Sequence, residues 1–436
     1  MVNAPQRSHG GGQAGSSLSP GLLARGGISL PVSPRIRPRI GTNPISEKVP
    51  SIIGSPLEGH VPMRVCFFIA SLDGGGAQRQ CIALLNALQH VRDVETHLIL
   101  LGPGTFDDRL DTSQLTVHRT QVRNFGSPAA LAFAVRTLRR VRPDLVISWL
   151  HPADIWSFAA TRIVRVPWIM TERGSVYPGT VVFKVRNRIG RRAPTTIIAN
   201  SSKGQRYWAD LAPRCSVRMI PNMVIDGAVG GAPLTNRSHS DECLFVGRLE
   251  PEKNVGAMIT AFARFAAVNE QAKLLICGKG SLSDDVVQTV HRLPNSERAT
   301  ILGFRHDIPD LMSRARIFLS FSRYEGMPNV VMEAAASGLP AVVSDIPEHR
   351  ALLGDDYPFY VRLDSTPETS AAVLADAWMH GESAGPDIYS HARGVLATMT
   401  PERVVADYLT VFSEVIGQSS QGRKTPPVLT QAARVR

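Results

Sequence analysis

Residues 322–345 read SRYEGMPNVVMEAAASGLPAVVSD, a stretch that predicts a loop, a helix and a strand in succession. Pro328 suits the first turn of a helix, and Gly338 suits its end. Glu325 lies just before this predicted helix, and Glu333 lies within its first two turns. A carboxylate can accept two hydroxyl hydrogen bonds, and a helix start can bind phosphate. The stretch therefore favours a site for a phosphate and a diol. The alternative is complementation of the helix dipole, which accounts for one glutamate better than for two.

A second strand end lies upstream, in FVGRLEPEKNVGAMITAF at residues 245–262. The predicted strand ends at Gly247, and Arg248 and Lys253 follow in the loop that leads into the next helix. Two cations beside a helix start suit a diphosphate. A pair of solvated surface cations is the ordinary alternative.

Three consecutive glycines, Gly74, Gly75 and Gly76, separate the first strand-like run from a helix. Glycines let a ligand approach the backbone closely, although a tight turn without a ligand explains them equally well. The spacing is not G-x-G-x-x-G, and no acidic residue clearly ends the second predicted strand. A dinucleotide cofactor is therefore disfavoured.

Strand-length apolar runs alternate with helical stretches from residue 63 onward, which is typical of parallel sheets with crossover helices. Glycines and polar residues interrupt the pattern at 227–240, and a second series begins at 242. We predict an α/β protein with two doubly wound, Rossmann-like domains that face a cleft. The predicted parts are a disordered tail (1–62), a first domain (63–223), a hinge (224–240), a second domain (241–400), a helix crossing back to the first domain (401–418) and a basic tail (419–436).

The composition excludes several classes of protein. The net charge of +11 lies mostly in the tails, since residues 1–62 and 420–436 each contribute +4 and leave +3 for the body. This distribution argues against nucleic acid as a partner. The chain has five well-separated cysteines and no C-x-x-C pair, so we expect neither a disulfide framework nor a cysteine-based zinc site. It has no signal-like N-terminus and no membrane-length apolar run, which predicts a soluble, cytoplasmic protein.

Taken together, FVGRLEPEKN, ICGKGSL and EGMPNVVMEAAASGLPAVVSD resemble the donor-binding half of the family 4 retaining glycosyltransferases, which have the GT-B fold. GGGAQR, PDLVISWLHPADI (143–155) and MIPNMVID (219–226) are similar to the N-terminal half and the interdomain linker of that family. The resemblance covers residues 63–417 and is strongest over 242–345. It makes the first domain the acceptor side and the second the nucleotide-sugar side.

The resemblance also implies roles for individual residues. Arg248 and Lys253 would hold the donor diphosphate, Glu325 the hydroxyls of the transferred sugar and Glu333 the nucleotide ribose. The remaining contacts to the diphosphate would come from backbone around Met327 and Asn329, and from Gly75 and Gly76 of the opposite domain. The resemblance also implies that no metal is needed, because fixed cations and a helix start meet the charge that develops on the departing nucleoside diphosphate. No cofactor is expected, since the donor, a UDP- or GDP-sugar, is itself a substrate.

Two further positions belong to the first domain. His151 follows the predicted strand DLVISWL, and the resemblance implies that it contacts the reacting sugar, although a lone histidine is often structural. Glu172 and Arg173 resemble an E-R-N turn of relatives that act on lipid-linked sugars, but Gly174 occupies the third position here.

The segment 176–194 carries Lys184, Arg186, Arg188, Arg191 and Arg192 without an acid, interleaved with valine, phenylalanine and isoleucine. One interpretation is a surface for anionic lipid or a polyprenyl diphosphate, at the inner face of the cytoplasmic membrane. The other is an ordinary helix with solvated cations.

The expected function is transfer of a sugar from a nucleotide sugar to a lipid-linked or growing saccharide, with retention, in cell-surface polysaccharide biosynthesis. Two alternatives stay open. One is an epimerase or phosphorylase of the same fold, although no pyridoxal lysine can be placed. The other is a non-enzymatic protein that binds anionic surfaces.

Overall fold

The computed structural model describes residues 62–120, 127–174, 177–192, 194–225, 240–380 and 388–422. Three predicted parts lie largely outside these described residues: the N-terminal tail apart from residue 62, most of the hinge (226–239) and the last residues (423–436). All described residues belong to one compact unit.

The first half of the chain forms a seven-stranded parallel sheet in the order β3-β2-β1-β4-β5-β6-β7. Its strands are β1 (Met63–Ile69), β2 (Val94–Leu100), β3 (Leu115–Arg119), β4 (Leu145–Trp149), β5 (Trp168–Glu172), β6 (Thr196–Ala199) and β7 (Ser216–Met219). The intervening helices are α1 (Gly76–Leu88), α2 (Pro128–Val141), α3 (His151–Val164), α4 (Val181–Gly190) and α5 (Ser202–Leu211).

Strand β1 shows why this sheet has helices on both faces. Val65, Phe67 and Ile69 are buried in one apolar cluster, whereas Cys66 and Phe68 are buried in the cluster on the other face. Because successive side chains alternate between the faces, an unbroken apolar run produces a strand that is covered on both sides.

The second half forms a six-stranded parallel sheet in the order β10-β9-β8-β11-β12-β13. Its strands are β8 (Glu242–Val246), β9 (Lys273–Cys277), β10 (Ala299–Gly303), β11 (Ile317–Ser320), β12 (Ala341–Ser344) and β13 (Tyr360–Val361). The helices are α6 (Val255–Ala266), α7 (Ser283–His291), α8 (Ile308–Arg314), α9 (Asn329–Ala336), α10 (Pro347–Leu353), α11 (Pro367–His380) and α12 (Ser390–Leu396). This order is that of a doubly wound nucleotide-binding sheet.

The last helix, α13 (Pro401–Gly422), packs against α1 and β4 of the first half. Val404, Tyr408 and Phe412 are buried there in the apolar cluster of the first sheet. The helix ends at Gly422, beyond the predicted end at 418, and the hydroxyl of Ser419 donates to the carbonyl of Val415. The predicted end followed Gly417, but no proline lies between 402 and 422, and a glycine weakens a helix without removing one of its hydrogen bonds.

Candidate functional site

Lys253 and Glu325 form an ion pair between two loops of the second sheet. The ammonium of Lys253 lies 2.6 Å from Oε1 of Glu325, and the hydroxyl of Ser322 donates to the same oxygen at 2.7 Å. Lys253 ends the short turn between β8 and α6, and Glu325 lies between β11 and α9. Because β8 and β11 are neighbours in a parallel sheet, their carboxyl ends bring together two residues that are 72 positions apart.

A buried histidine lies close to this pair. Nδ1 of His349, at the start of α10, lies 2.7 Å from the carbonyl oxygen of Ser344. Burial lowers the pKa of this histidine; the charge of Glu325 raises it in part, and that of Lys253 lowers it further. The ring is therefore neutral near pH 7. His349 is not among the residues predicted for the site, and no sequence pattern around it distinguishes it from a core residue.

Two glycines support the loop that carries Arg248. A Cβ on Gly278 would lie 1.8 Å from the carbonyl oxygen of Gly247, and one on Gly280 would lie 2.3 Å from that of Leu249. The amide of Leu249 donates to the carbonyl of Lys279 at 3.0 Å, so the two loops pack backbone on backbone. Arg248 itself is 60% exposed and is paired with Glu252 at 2.7 Å.

The glycine turn of the first half lies directly against the second half. A Cβ on Gly76 would lie 2.4 Å from Nδ2 of Asn329, the first residue of α9, and one on Gly75 would lie 3.7 Å from Cδ of Arg248. The structure thus brings both glycines to the residues with which the sequence analysis grouped them.

A cation that the sequence analysis missed lies one turn further along α1. The guanidinium of Arg79 lies 3.0 Å from Oε1 of Glu333, so an ion pair joins α1 to α9. Arg79, Lys253 and Arg248 thus each have a carboxylate partner, in the pairs Arg79–Glu333, Lys253–Glu325 and Arg248–Glu252. An anion that enters this region shares these cations with the carboxylates.

His151 lies apart from these pairs. It is the first residue of α3, and its ring lies 5.1 Å from that of Phe183 in α4. Burial lowers its pKa, with a further contribution from the charge of Arg186 that Glu172 opposes. Within the part of the chain that the structure describes, no hydrogen bond or ring contact joins His151 to Lys253 or Glu325.

The structure corrects the interpretation of Arg186 as part of a basic surface. Arg186 is 2% exposed, and its guanidinium donates to Asp154 at 2.6 Å and to Glu172 at 2.7 Å. Trp208 also donates to Glu172, and Ser148 to Asp154. Two buried carboxylates need a cation between them, so Arg186 points inward and ties α4 to β5 and α3.

The outer face of α4 is both apolar and basic. Val181, Val182 and Val185 are 75%, 46% and 40% exposed. Four cations of this segment are also exposed, namely Lys184, Arg188, Arg191 and Arg192. Among the described residues, no helix is long and apolar enough to cross a membrane. The same residues contain no cluster of three or more candidate metal ligands.

Two family models match the chain. Residues 74–226 match the model described as Glycosyltransferase Family 4, and residues 233–379 match the one described as Glycosyl transferases group 1. The two matched ranges lie in the first and the second half of the chain, respectively.

The chain is similar to bacterial enzymes with named substrates. One is a GalNAc-α-(1→4)-GalNAc-α-(1→3)-diNAcBac-PP-undecaprenol α-1,4-N-acetyl-D-galactosaminyltransferase of Campylobacter jejuni, 24% identical over 62% of this chain and 76% of the relative. Another is a UDP-Gal:α-D-GlcNAc-diphosphoundecaprenol α-1,3-galactosyltransferase of Escherichia coli, 25% identical over 64% of this chain and 82% of the relative.

Solved structures share the fold. HepE of Anabaena, in complex with UDP and glucose, is 19% identical with a TM-score of 0.68, covering 81% of this chain and 100% of that one. A glycosyltransferase from Rickettsia africae is 18% identical with a TM-score of 0.63, covering 81% of this chain and 99% of that one. The predicted α/β fold with two Rossmann-like domains is thereby confirmed.

Proposed function

Because the chain belongs to the family 4, group 1 glycosyltransferases, we propose that it transfers a sugar from a nucleoside diphosphate sugar to a saccharide hydroxyl, with retention of the anomeric configuration. The observation that carries this proposal is the Lys253–Glu325 pair beside the start of α9. A cation, a carboxylate and a helix start at one place suit a phosphate that is joined to a hydroxyl-rich ring.

In this proposal the diphosphate lies at the start of α9, between Arg248, Lys253 and the Gly75–Gly76 turn. The bond between the anomeric carbon and the phosphate oxygen breaks, and the acceptor oxygen bonds to that carbon on the same face. The acceptor proton passes to the departing phosphate. Negative charge grows on the nucleoside diphosphate, and the fixed cations and the helix start stabilise it without a metal ion.

The two glutamates orient the donor. Glu325 accepts hydrogen bonds from hydroxyls of the transferred sugar, and Glu333 accepts them from the ribose. Each carboxylate keeps its cation nearby, at 2.6 Å from Lys253 and 3.0 Å from Arg79, so the ligand binds without leaving a buried charge unpaired. His151, at the carboxyl end of β4, contacts the sugar from the first half of the chain.

For the acceptor we propose a lipid-linked saccharide of cell-surface polysaccharide assembly. The names of two similar enzymes include an undecaprenol-linked saccharide, which supports a lipid-linked acceptor for this chain. The exposed valines and cations of α4 would lie on an anionic membrane and hold the enzyme near such an acceptor.

A donor screen followed by a transfer assay tests the proposal. We expect one nucleotide sugar among UDP-, GDP- and ADP-sugars to raise the unfolding temperature, and to support transfer to a synthetic polyprenyl diphosphate saccharide. Transfer should continue in excess EDTA, and NMR of the product should show the anomeric configuration of the donor. An inverted product would contradict retention, and the absence of any donor hit would contradict the whole proposal.

Vesicle flotation tests the membrane contact separately. Binding to anionic vesicles should decrease when Val181, Val182 and Val185 are replaced by serine, and should weaken with salt. Replacing the exposed Val268, which lies after α6 on the second half, is the matched control. Equal flotation of all three proteins would mean that α4 is only a solvated helix.

A further inference from the structure

A series of hydrogen bonds joins β5 to α9 through Asn222. Nη1 of Arg173, which follows β5, donates to Oδ1 of Asn222 at 3.1 Å. Nδ2 of Asn222 donates to Oδ1 of Asn329 at 2.7 Å. The backbone amide of Asn222 also donates to the sulfur of Met327 at 3.2 Å. Asn222 therefore contacts the loop that leads into α9 with both its side chain and its backbone.

Arg173 determines which way the amide of Asn222 points, and Nδ2 of Asn200 donates to the same oxygen at 3.4 Å. A guanidinium has only donors, so the oxygen of the amide must face it. Arg173 is itself held in place, because its guanidinium lies 3.9 Å from the ring centre of Trp149 and donates to the hydroxyl of Tyr408. With its oxygen on Arg173, Asn222 can present only its NH₂ group to Asn329.

The orientation of Asn222 in turn determines that of Asn329. Since Oδ1 of Asn329 accepts from Asn222, its Nδ2 faces the opposite way, towards Gly76. That side is where the diphosphate lies in the proposed function. A donor group is thus held in a fixed direction at the start of α9, in addition to the backbone amides there.

The linker around Asn222 is fixed as well. The amide of Met223 donates to Oε1 of Gln80 in α1 at 2.7 Å, and Nε2 of Gln80 donates back to the carbonyl of Met223 at 2.8 Å. Both groups of Gln80 are buried against this segment. The residue that follows Asn222 is therefore held by α1, while Asn222 itself contacts α9.

We propose that Asn222 is a positioning residue, which keeps the side-chain NH₂ of Asn329 directed at the distal phosphate of the donor. This inference rests on the proposed function, because it takes the diphosphate site as given. Asn329 is the residue that touches the ligand, and Asn222 acts through it.

The test uses Asn222→Asp, which has nearly the same shape. An aspartate still accepts from Arg173, but it cannot donate to Asn329, so the amide of Asn329 turns and directs its oxygen at the phosphate. We expect about a tenfold or greater loss in the affinity for UDP, since hydrogen bonds to charged groups are strong. UMP has no distal phosphate and should bind equally to both proteins. If the donor screen identifies another base, the corresponding di- and monophosphates are the probes.

A double mutant separates positioning from simple charge repulsion. In the Asn329→Ala background, Asn222→Asp should cause no further loss of diphosphate affinity, because the group through which it acts is gone. An additional loss in that background would overturn the proposal, as would unchanged diphosphate affinity of the single variant. Asn86→Asp, in α1 away from the site, is the control that should bind normally.

The unfolding temperature of Asn222→Asp should stay close to that of the wild type, because every hydrogen bond around it is kept or replaced. A wild-type protein that binds none of the nucleoside diphosphates would overturn the proposed function together with this inference. Binding by the wild type with no difference in Asn222→Asp would overturn the inference alone.

Discussion

The guanidinium of Arg79 lies 3.0 Å from the carboxylate of Glu333, although one belongs to the helix after β1 and the other to the helix after β11. Each side chain is mostly buried. The contact joins the two sheets at the point where the proposed donor ribose would lie. It also means that side chains of the two halves touch each other directly at this point.

Replacing Arg79 by alanine should weaken nucleoside diphosphate binding by about tenfold. The change leaves the Glu333 carboxylate without this cation, so that its negative charge repels the negatively charged phosphates of the ligand. We also expect a larger radius of gyration of the free protein in small-angle scattering, because a contact between the halves is lost. Arg136→Ala, at an exposed position of α2, is the matched control. Unaltered affinity and radius would show that the ion pair has no role in donor binding.

Removing either member of the Lys253–Glu325 pair should abolish most of the transfer activity. We expect Lys253→Ala and Glu325→Gln to reduce kcat by at least about a hundredfold, as the loss of a preorganised charge does. The fold should stay intact because both side chains lie in loops, although the unfolding temperature should fall, since each variant leaves the other, mostly buried group without its partner. The exposed Lys273 and Glu297 offer matched control variants, and normal turnover by Lys253→Ala would contradict the assigned site.

Gly280→Ala should disturb the loop of Arg248 and reduce both stability and donor affinity. Its methyl group would lie 2.3 Å from the backbone oxygen of Leu249, which cannot move without shifting the loop. Gly256→Ala, in α6, meets no atom within 4 Å and should instead stabilise the protein by about 0.4–1 kcal/mol. Chemical unfolding measures the change in the free energy of unfolding of each variant, and a binding titration measures the donor affinity of Gly280→Ala. Equal stability of the two would contradict the backbone packing described here.

Arg186→Met should destabilise the protein by about 3–5 kcal/mol, because it leaves Asp154 and Glu172 buried without their cation. Arg188→Met is the control, since Arg188 is exposed on the same helix. Urea unfolding measures the difference. If both variants unfolded alike, the buried network would not be what holds α4.

Acid should destabilise the protein in part through His349. Burial lowers the pKa of this ring below its usual value near 6.5, so below that pH the unfolded chain binds a proton that the folded protein does not. The free energy of unfolding should therefore decrease as the pH falls below about 6.5. His97 and His118 act in the same direction, because burial lowers their pKa values as well. The decrease should be smaller in His349→Gln than in wild type, whereas His90→Gln, on the surface, should follow the wild type.

Local patterns were sufficient to predict the two parallel sheets, and they put each group of candidate site residues in a loop after a strand, where such loops meet at one edge of a sheet. This rule put Lys253 and Glu325 each in a loop after a strand, and in the structure the two side chains lie 2.6 Å apart. The same rule could not predict the role of Arg79, because its contact with Glu333 joins helices of two different sheets and local sequence spacing carries no information about such a contact. Gly278 and Gly280 entered the sequence analysis only as part of the ICGKGSL motif. Their packing role could not be predicted, because it depends on the backbone of the neighbouring loop at Gly247 and Leu249.

The inward direction of Arg186 was, in contrast, readable from spacing. Residues two apart on a helix point away from each other, whereas those four and seven apart share a face. Lys184, Arg188 and Arg191 therefore lie together, and Arg186 lies opposite them. Counting the five cations as one surface overlooked this geometry.

The position of α13 has a consequence for how the chain matures during synthesis. The apolar cluster of the first sheet is completed by Val404, Tyr408 and Phe412, which the ribosome adds more than 180 positions after the last strand of that sheet, β7 (Ser216–Met219). Until those residues emerge, the nascent first half exposes the apolar surface that they cover, and such surface attracts chaperones and other chains. The N-terminal half therefore cannot bury its whole apolar cluster until the C-terminal helix has been synthesised.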